Sequence, residues 1–257
     1  MFKHKMGELK DRESTVSQKN AIPSICYQTW ESRFLTRKHL SEVEKFRDLN
    51  PDLSWKLFDA NQRASYMLEY YGEHPIFNIY TSATFGATKA DIFRYCILLE
   101  RGGYYFDISK SCKIQLTKLH NPEDNALISF ENNNCTIPFL NESMRLFQEP
   151  FKYAVQWALA FAPGHKILEA VIANIINSYP YFKGRIFQNP QVGILAFTGP
   201  GLFTKSLRET LNLEMLPKIS LHSSDFSGNG VFSLPGSHLR FDKAKHYSSY
   251  KDTAIVL

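Results

Sequence analysis

The stretch TSATFGATKADIFRYCILLERGGYYFDIS (81–109) constrains the fold of this chain more than any other. Phe85, Ala90, Phe93, Ile97 and Leu98 recur at the spacing of one helix face, so a helix is predicted up to Arg101. Gly102-Gly103 stops it abruptly. An apolar, β-prone run follows at once, so Tyr104–Ile108 is predicted as a strand with the carboxylate of Asp107 near its end.

Upstream the same alternation repeats. IPSICYQTW (22–30) reads as a buried strand entered through Pro23. RKHLSEVEKFRDLN (37–50) sets Leu40, Val43 and Phe46 on a helix, with Ser41 as a candidate cap and Asn50-Pro51-Asp52 as the break. SWKLFD (54–59) alternates as a strand ending in Asp59, and a helix runs from about Asn61 to Tyr71 before Gly72. Strand, helix, strand, helix, helix, strand predicts an α/β fold with a largely parallel central sheet flanked by helices. Ligands of such sheets bind beyond the carboxyl ends of the strands, where Trp30, Asp59 and Asp107 all fall.

The second half is less regular. ALISF (126–130) reads as a strand, ENNNCTIP (131–138) as a loop, and KYAVQWALAFAPGH (152–165) mixes both signals. HKILEAVIANIINSY (165–179) is an amphipathic helix, TGPG (198–201) a tight loop before a helix at 202–212, and VFSLP (231–235) a late strand. With no repeat or linker, 257 residues fit one domain, 21–257, behind a flexible or helical leader, 1–20. Within it, 21–115 forms one half and 116–257 the other.

Composition narrows the function. A net charge of +5 with scattered basic residues argues against nucleic acid as a partner. An aromatic content of 14% suits ring stacking on sugars or bases as well as a packed interior. Cys26, Cys96, Cys112 and Cys135 form no Cys-x-x-Cys, which argues against a zinc or redox pair and favours a reducing, cytoplasmic setting. The first 20 residues are polar and no later run is long enough to span a bilayer, so a soluble chain is expected, either free or peripheral at the inner face of a membrane.

Two stretches carry candidate chemistry. A carboxylate at a strand end can hold Mn²⁺ or Mg²⁺ against a diphosphate. Strand period two places Asp107 and Ser109 on one face, though a solvated strand end looks the same. In KADIFR (89–94), Asp91 and Arg94 lie three apart on a helix, a spacing that suits a grip on sugar hydroxyls and phosphate or a plain surface ion pair. Trp30 in QTW (28–30) can stack on a ring or sit in the core.

In order, IPSICYQTW, NPDLSWKLFD and KADIFRYCILLERGGYYFDIS resemble the Asp-x-Asp sugar transferases of glycosyltransferase family 32, closely over 22–109, and more loosely TGPG and HYSSY (246–250) extend the likeness. More distantly, the chain is similar to the glucosylating domains of the large clostridial toxins. The resemblance implies a GT-A-like fold and transfer of a sugar, with retained configuration, from a UDP- or GDP-sugar to a glycan or lipid-linked acceptor in surface polysaccharide or capsule synthesis. It implies that Gln28, Thr29 and Trp30 border the nucleoside, and that Asp91 and Arg94, with Lys89 beside them, hold the donor sugar. Asp107, with Tyr105, would meet the ribose and the metal, while His246, Ser249 and Tyr250 close over the diphosphate. Ser109 stands where the family has its second Asp, a neutral ligand in place of a charged one, so weaker Mn²⁺ binding is expected. Two other readings share these residues: a nucleotide-sugar-binding protein without turnover, and a toxin- or effector-like transferase acting on protein. Donor hydrolysis separates the first from a transferase, and the acceptor identifies the second.

Overall fold

The computed structural model describes residues 5–14, 20–134, 151–241 and 246–257. Its centre is a seven-stranded sheet: β1 Ile25–Thr29, β2 Ser54–Phe58, β3 Gly103–Phe106, β4 Ala126–Asn134, β5 Lys152–Ala154, β6 Ala158–Phe161 and β7 Ile219–Ser223. The spatial order is β7-β4-β6-β3-β1-β2, with β5 paired to β4. The pairs β1–β2, β1–β3 and β4–β7 are parallel, whereas β6 runs antiparallel to both β3 and β4. Five strands thus share one direction and β5 and β6 oppose it. That is the largely parallel α/β sheet expected, with a reversed strand in its middle.

The helices are α1 Arg37–Leu49, α2 Ala60–Tyr71, α3 Pro75–Ser82, α4 Gly86–Arg101, α5 Lys166–Phe182, α6 Pro190–Phe197 and α7 Pro200–Thr210. Strand alternation divides the core between the two faces. Tyr27 and Tyr105 join the large cluster under α4, α5 and α7. Their neighbours Cys26, Tyr104 and Phe106 point to the other face, where Phe46 of α1 and Trp55 pack.

Local chemistry sets the junctions. Gly102 and Gly103 have φ of +63° and +101°, and a Cβ on Gly102 would lie 2.6 Å from Pro163 Cδ. Only glycine takes that conformation in that space. Asp59 accepts from the Gln62 amide at 2.9 Å while Gln62 bonds back to the Asp59 amide, a complete capping box. Asp59 is therefore used by α2 rather than offered to a ligand.

Other expectations need correction. Residues 5–14 are not a loose leader: Met6–Glu8 pairs with Phe34–Thr36, Leu9 is fully buried, and Arg12 exchanges backbone bonds with Trp55. The cap position of α1 is Thr36, not Ser41. β3 ends at Phe106, because Lys110 N donates to Asp107 O at 2.8 Å and closes a turn. Of VFSLP only Val231 is paired, with Ser111. Helix α3 carries no periodic signal long enough to have been read. Glu131–Asn134 extend β4 instead of looping, and Cys135–Pro138 lie outside the described residues. Cys26, Cys96 and Cys112 are free, buried thiols.

Candidate active site

Asp91 and Arg94 leave the same side of α4 and meet Asp107 at the end of β3. Arg94 is almost fully buried. Its Nη2 lies 3.2 Å from Asp91 Oδ1 and 3.0 Å from Asp107 Oδ1, and its Nη1 donates to the Gln156 carbonyl at 2.8 Å. The guanidinium lies 4.5 Å over the Tyr105 ring, whose hydroxyl donates to Asp107 Oδ1 at 3.0 Å. One planar fork thus bridges two carboxylates and an aromatic face, a geometry that lysine cannot reproduce.

The two carboxylates differ in environment. Asp91 is buried, and both its oxygens are held: Oδ1 by Gln156 Nε2 at 2.8 Å, Oδ2 by the Thr198 hydroxyl at 2.9 Å. Burial holds its pKa above the ordinary carboxylate value, against the pull of Arg94 and these two donors. Asp107 keeps a third of its side chain in solvent and takes both of its bonds on Oδ1. With two carboxylates and one guanidinium, the cluster carries a formal charge of −1.

Around Asp107 lies a rim that the sequence did not reveal. The Asp107 amide donates to Trp157 O at 2.8 Å. Lys110 Nζ sits 5.5 Å over Trp157 and 5.3 Å over Phe232, so the turn at 107–110 brings it over those two rings. Glu131 is close enough to feel Lys110, Asp225 and Asp107, and burial raises its pKa. Asp225, Phe226 and Ser227 all have φ between 53° and 57°, a left-handed turn costing about 1–2 kcal/mol per residue. Phe226, fully buried against Phe106 and Trp157, and a bond from its amide to Ser129 Oγ hold that turn. Asp225 Oδ1 and Trp157 Nε1 are buried without a partner.

The remaining sequence candidates are scattered. Gln28 is fully buried and accepts from Arg47 at 2.9 Å on the α1 face, so it organises the interior and cannot border a nucleoside. Thr29 is used between Phe58 O and Arg63, leaving its hydroxyl facing α2. Trp30 is half-buried against Leu9, Leu35 and their neighbours. Lys89 Nζ lies 5.7 Å over Tyr80. Ser109 does not share a strand face with Asp107. The turn buries it, and its carbonyl accepts from Leu234 N at 2.8 Å. His246 and Ser249 bond within their own short turn. Tyr250 packs edge-on against Phe85, 5.3 Å away, at the N-terminal end of α4.

Among the described residues no group of three His, Cys, Asp or Glu side chains converges on one point. Within the Asp91–Arg94–Asp107 cluster, Asp107 offers the partly exposed carboxylate. That donor set fits a hard divalent cation that takes most of its oxygens from a substrate diphosphate and water, rather than a cation caged by protein.

Comparison with known proteins assigns the class. Residues 36–132 match the glycosyltransferase sugar-binding region containing the DXD motif. The chain is 25% identical over 215 residues to the initiation-specific α-1,6-mannosyltransferase of Schizosaccharomyces pombe, covering 76% of this chain and 50% of that protein. It is 30% identical over 116 residues to inositol phosphoceramide mannosyltransferase 3 of the same yeast, 45% of this chain and 32% of that protein. Among solved structures, the PaToxG glycosyltransferase superposes with a TM-score of 0.53 at 16% identity, over 76% of this chain and 73% of that one. The fold is that of a GT-A-like glycosyltransferase.

Over residues 36–132 the chain carries the sugar-binding region of DXD-containing glycosyltransferases, and it is similar to family 32-like mannosyltransferases. It spans about half the length of the curated relatives it matches. Within 36–132 no two aspartates stand two apart; Asp107-Ile108-Ser109 comes nearest. Among the described residues no helix is long and apolar enough to cross a membrane.

Proposed function

We propose that this chain transfers a hexose, mannose first among the candidates, from a nucleoside diphosphate sugar to a hydroxyl of a glycan or of a phosphoinositol-type lipid. The observation that carries the reading is the Arg94 fork joining buried Asp91 to half-open Asp107. The relatives named for mannosyl transfer to glycans and to inositol phosphoceramide supply the substrate class.

In the transfer, the bond from C1 of the sugar to the diphosphate oxygen breaks and its electron pair leaves with the diphosphate. The acceptor oxygen bonds to C1, and its proton passes to the departing diphosphate oxygen. Asp91 has both oxygens fixed by donors, so it serves as a rigid acceptor for donor-sugar hydroxyls rather than as a nucleophile. Arg94 sets the position of both carboxylates. Lys110, brought round by the turn, offsets charge on the departing diphosphate. A divalent cation bound by Asp107 would add further charge neutralisation there, and with Ser109 in the second position that cation is held more weakly than by an Asp-x-Asp pair. The Trp157–Phe232 ring pair, under Lys110, is the surface this reading assigns to the acceptor. Retention at C1, a surface-polysaccharide product and manganese as the ion belong to the same proposal.

The test is GDP release from GDP-mannose, with UDP-glucose as the comparison, in Mn²⁺ and in EDTA. Asp107→Asn and Asp91→Asn should each lose about 100-fold or more in rate, with far-UV circular dichroism unchanged. Full activity in either variant sinks the site. Donor binding without release by the native chain would establish a binding protein instead.

A further inference from the structure

A second carboxylate stands near the strand ends, across β6 from Asp107. Glu131 lies late in β4, one residue past Phe130, the last buried side chain of that strand. β3 and β4 run in the same direction with β6 between them, so the strands that carry Asp107 and Glu131 are two spacings apart, about 10 Å. The residues leading into β6 fill the interval: Val155 N donates to Ser129 O and Asp107 N to Trp157 O, both at 2.8 Å. Glu131 and Asp107 thus both stand at carboxyl ends of strands, where ligands of such sheets bind.

The end of β4 is held in place. Its register against β5 shifts between Phe130 and Asn134, so Glu131 falls in an irregular stretch of the kind that re-aims side chains. Two residues earlier, Ser129 Oγ donates to Ser223 O and accepts from Phe226 N, both at 2.7 Å, which ties the strand to the left-handed turn at 225–227. One residue later, Asn132 Nδ2 donates to Asp225 Oδ2. Glu131 is half-buried, within electrostatic reach of Lys110 and Asp107, and its Oε2 accepts from Asn133 Nδ2 at 3.2 Å. An ionised carboxylate has about four acceptor sites, so most of that capacity is unused.

An aromatic surface completes the arrangement. Phe232 is 42% exposed, Trp157 meets it edge-on at 5.4 Å, and Lys110 lies over both rings. A cyclic polyol can rest its C–H face on such a ring while its hydroxyls reach polar groups at the rim. We propose that Glu131 positions the acceptor: it accepts from a hydroxyl adjacent to the reacting one, on a hexoside or inositol ring resting on Phe232. The inference rests on the transferase reading and deepens it, with Asp91, Arg94 and Asp107 holding the donor and Glu131 the acceptor. Because Glu131 holds the neighbouring hydroxyl, the reacting one keeps its proton for the departing diphosphate oxygen.

The experiment uses the full chain in Mn²⁺ with whichever donor it hydrolyses, GDP-mannose or UDP-glucose. The acceptor probes are methyl α-mannopyranoside and glycerophosphoinositol. Total nucleotide release and glycosylated product are measured separately, and their difference is hydrolysis. Glu131→Gln should lower product by about tenfold or more and raise the KM of the probe, the loss of a charge-assisted hydrogen bond. Hydrolysis and the donor KM should stay within about twofold of native. Glu131→Asp, which keeps the charge on a shorter stem, should fall between. Product from methyl α-mannopyranoside alone identifies a glycan acceptor, and product from glycerophosphoinositol alone a lipid headgroup. A role in folding or donor binding would lower hydrolysis and product together, and that result overturns the proposal. So does a Glu131→Gln chain that keeps the native ratio of product to hydrolysis, or a native chain that hydrolyses donor and transfers to neither probe. A native chain that releases no nucleotide from either donor fails earlier, at the transferase reading, and removes the acceptor role with it.

Discussion

Replacing Arg94 by methionine isolates what the fork contributes. Methionine fills most of the stem's volume but donates nothing. Five contacts disappear: Asp91 at 3.2 Å, Asp107 at 3.0 Å, the Gln156 carbonyl at 2.8 Å, the Ala90 carbonyl at 3.4 Å and the Tyr105 face at 4.5 Å. Asp107, a third exposed, regains water, whereas Asp91 does not. The cost therefore falls mainly on Asp91 and comes to about 3 kcal/mol, the lower end for a buried charge that loses its partner. The pH dependence fixes the cause. Burial already raises the native pKa of Asp91 above its unfolded value, and Arg94 is the chief opposing influence. Without Arg94 that pKa climbs further. A carboxyl with a raised native pKa gives a folded state that binds more protons, so stability rises as pH falls through the window between the two values. Urea unfolding of the variant and the native chain at pH 7.5 and 5.5 should show the deficit shrinking by about 1 kcal/mol or more at the lower pH. A deficit that stays constant or grows would refute the assignment of the cost to Asp91.

Two further outcomes test the frame. His165 caps α5 through Nδ1, 3.2 Å from Ile167 N, and burial pushes its pKa down to about 4. Its folded value lies below the unfolded 6.5, so its contribution is complete above pH 6.5 and is lost as pH falls towards 4, by up to about 3 kcal/mol. His165→Ser keeps a cap and should flatten the native chain's acid slope in urea titrations at pH 7 and 4.5; parallel slopes would refute it. Gly102→Ala meets Pro163 at 2.6 Å in a left-handed conformation and should cost about 3 kcal/mol in the same assay. A loss under about 1 kcal/mol would show that the junction relaxes.

The parts of the site that were legible in the sequence are the local ones. Asp91 and Arg94 are three residues apart on a helix that its apolar face makes plain, and Asp107 follows a β-prone run. The rest of the cluster comes from far along the chain. Gln156 and Thr198 reach Asp91 across 65 and 107 residues; TGPG marks Thr198 as the start of a turn, but nothing in either stretch ties it to Asp91. The alternation argument failed at Ser109 because the strand ends at Phe106 and a turn begins, which period two cannot anticipate. Gln28 was misplaced for a related reason. A polar residue in an apolar strand looks like a ligand-facing group, but here it answers buried Arg47.

The reversed strand β6 has a kinetic consequence. Its four buried residues are the join between the β2-β1-β3 half of the sheet and the β4-β7 half. The residues leading into it, Gln156 and Trp157, are the ones that hold Arg94 and the Asp107 amide. Both halves must therefore wait for a segment that arrives later in the chain than β3 and β4, at the entropic cost of closing long loops. Sheet closure and assembly of the acidic cluster are therefore expected to occur as one cooperative event. Amides at 104–107 and 158–161 should then share one exchange-protected unit, and hydrogen exchange that protects one segment without the other would refute the coupling.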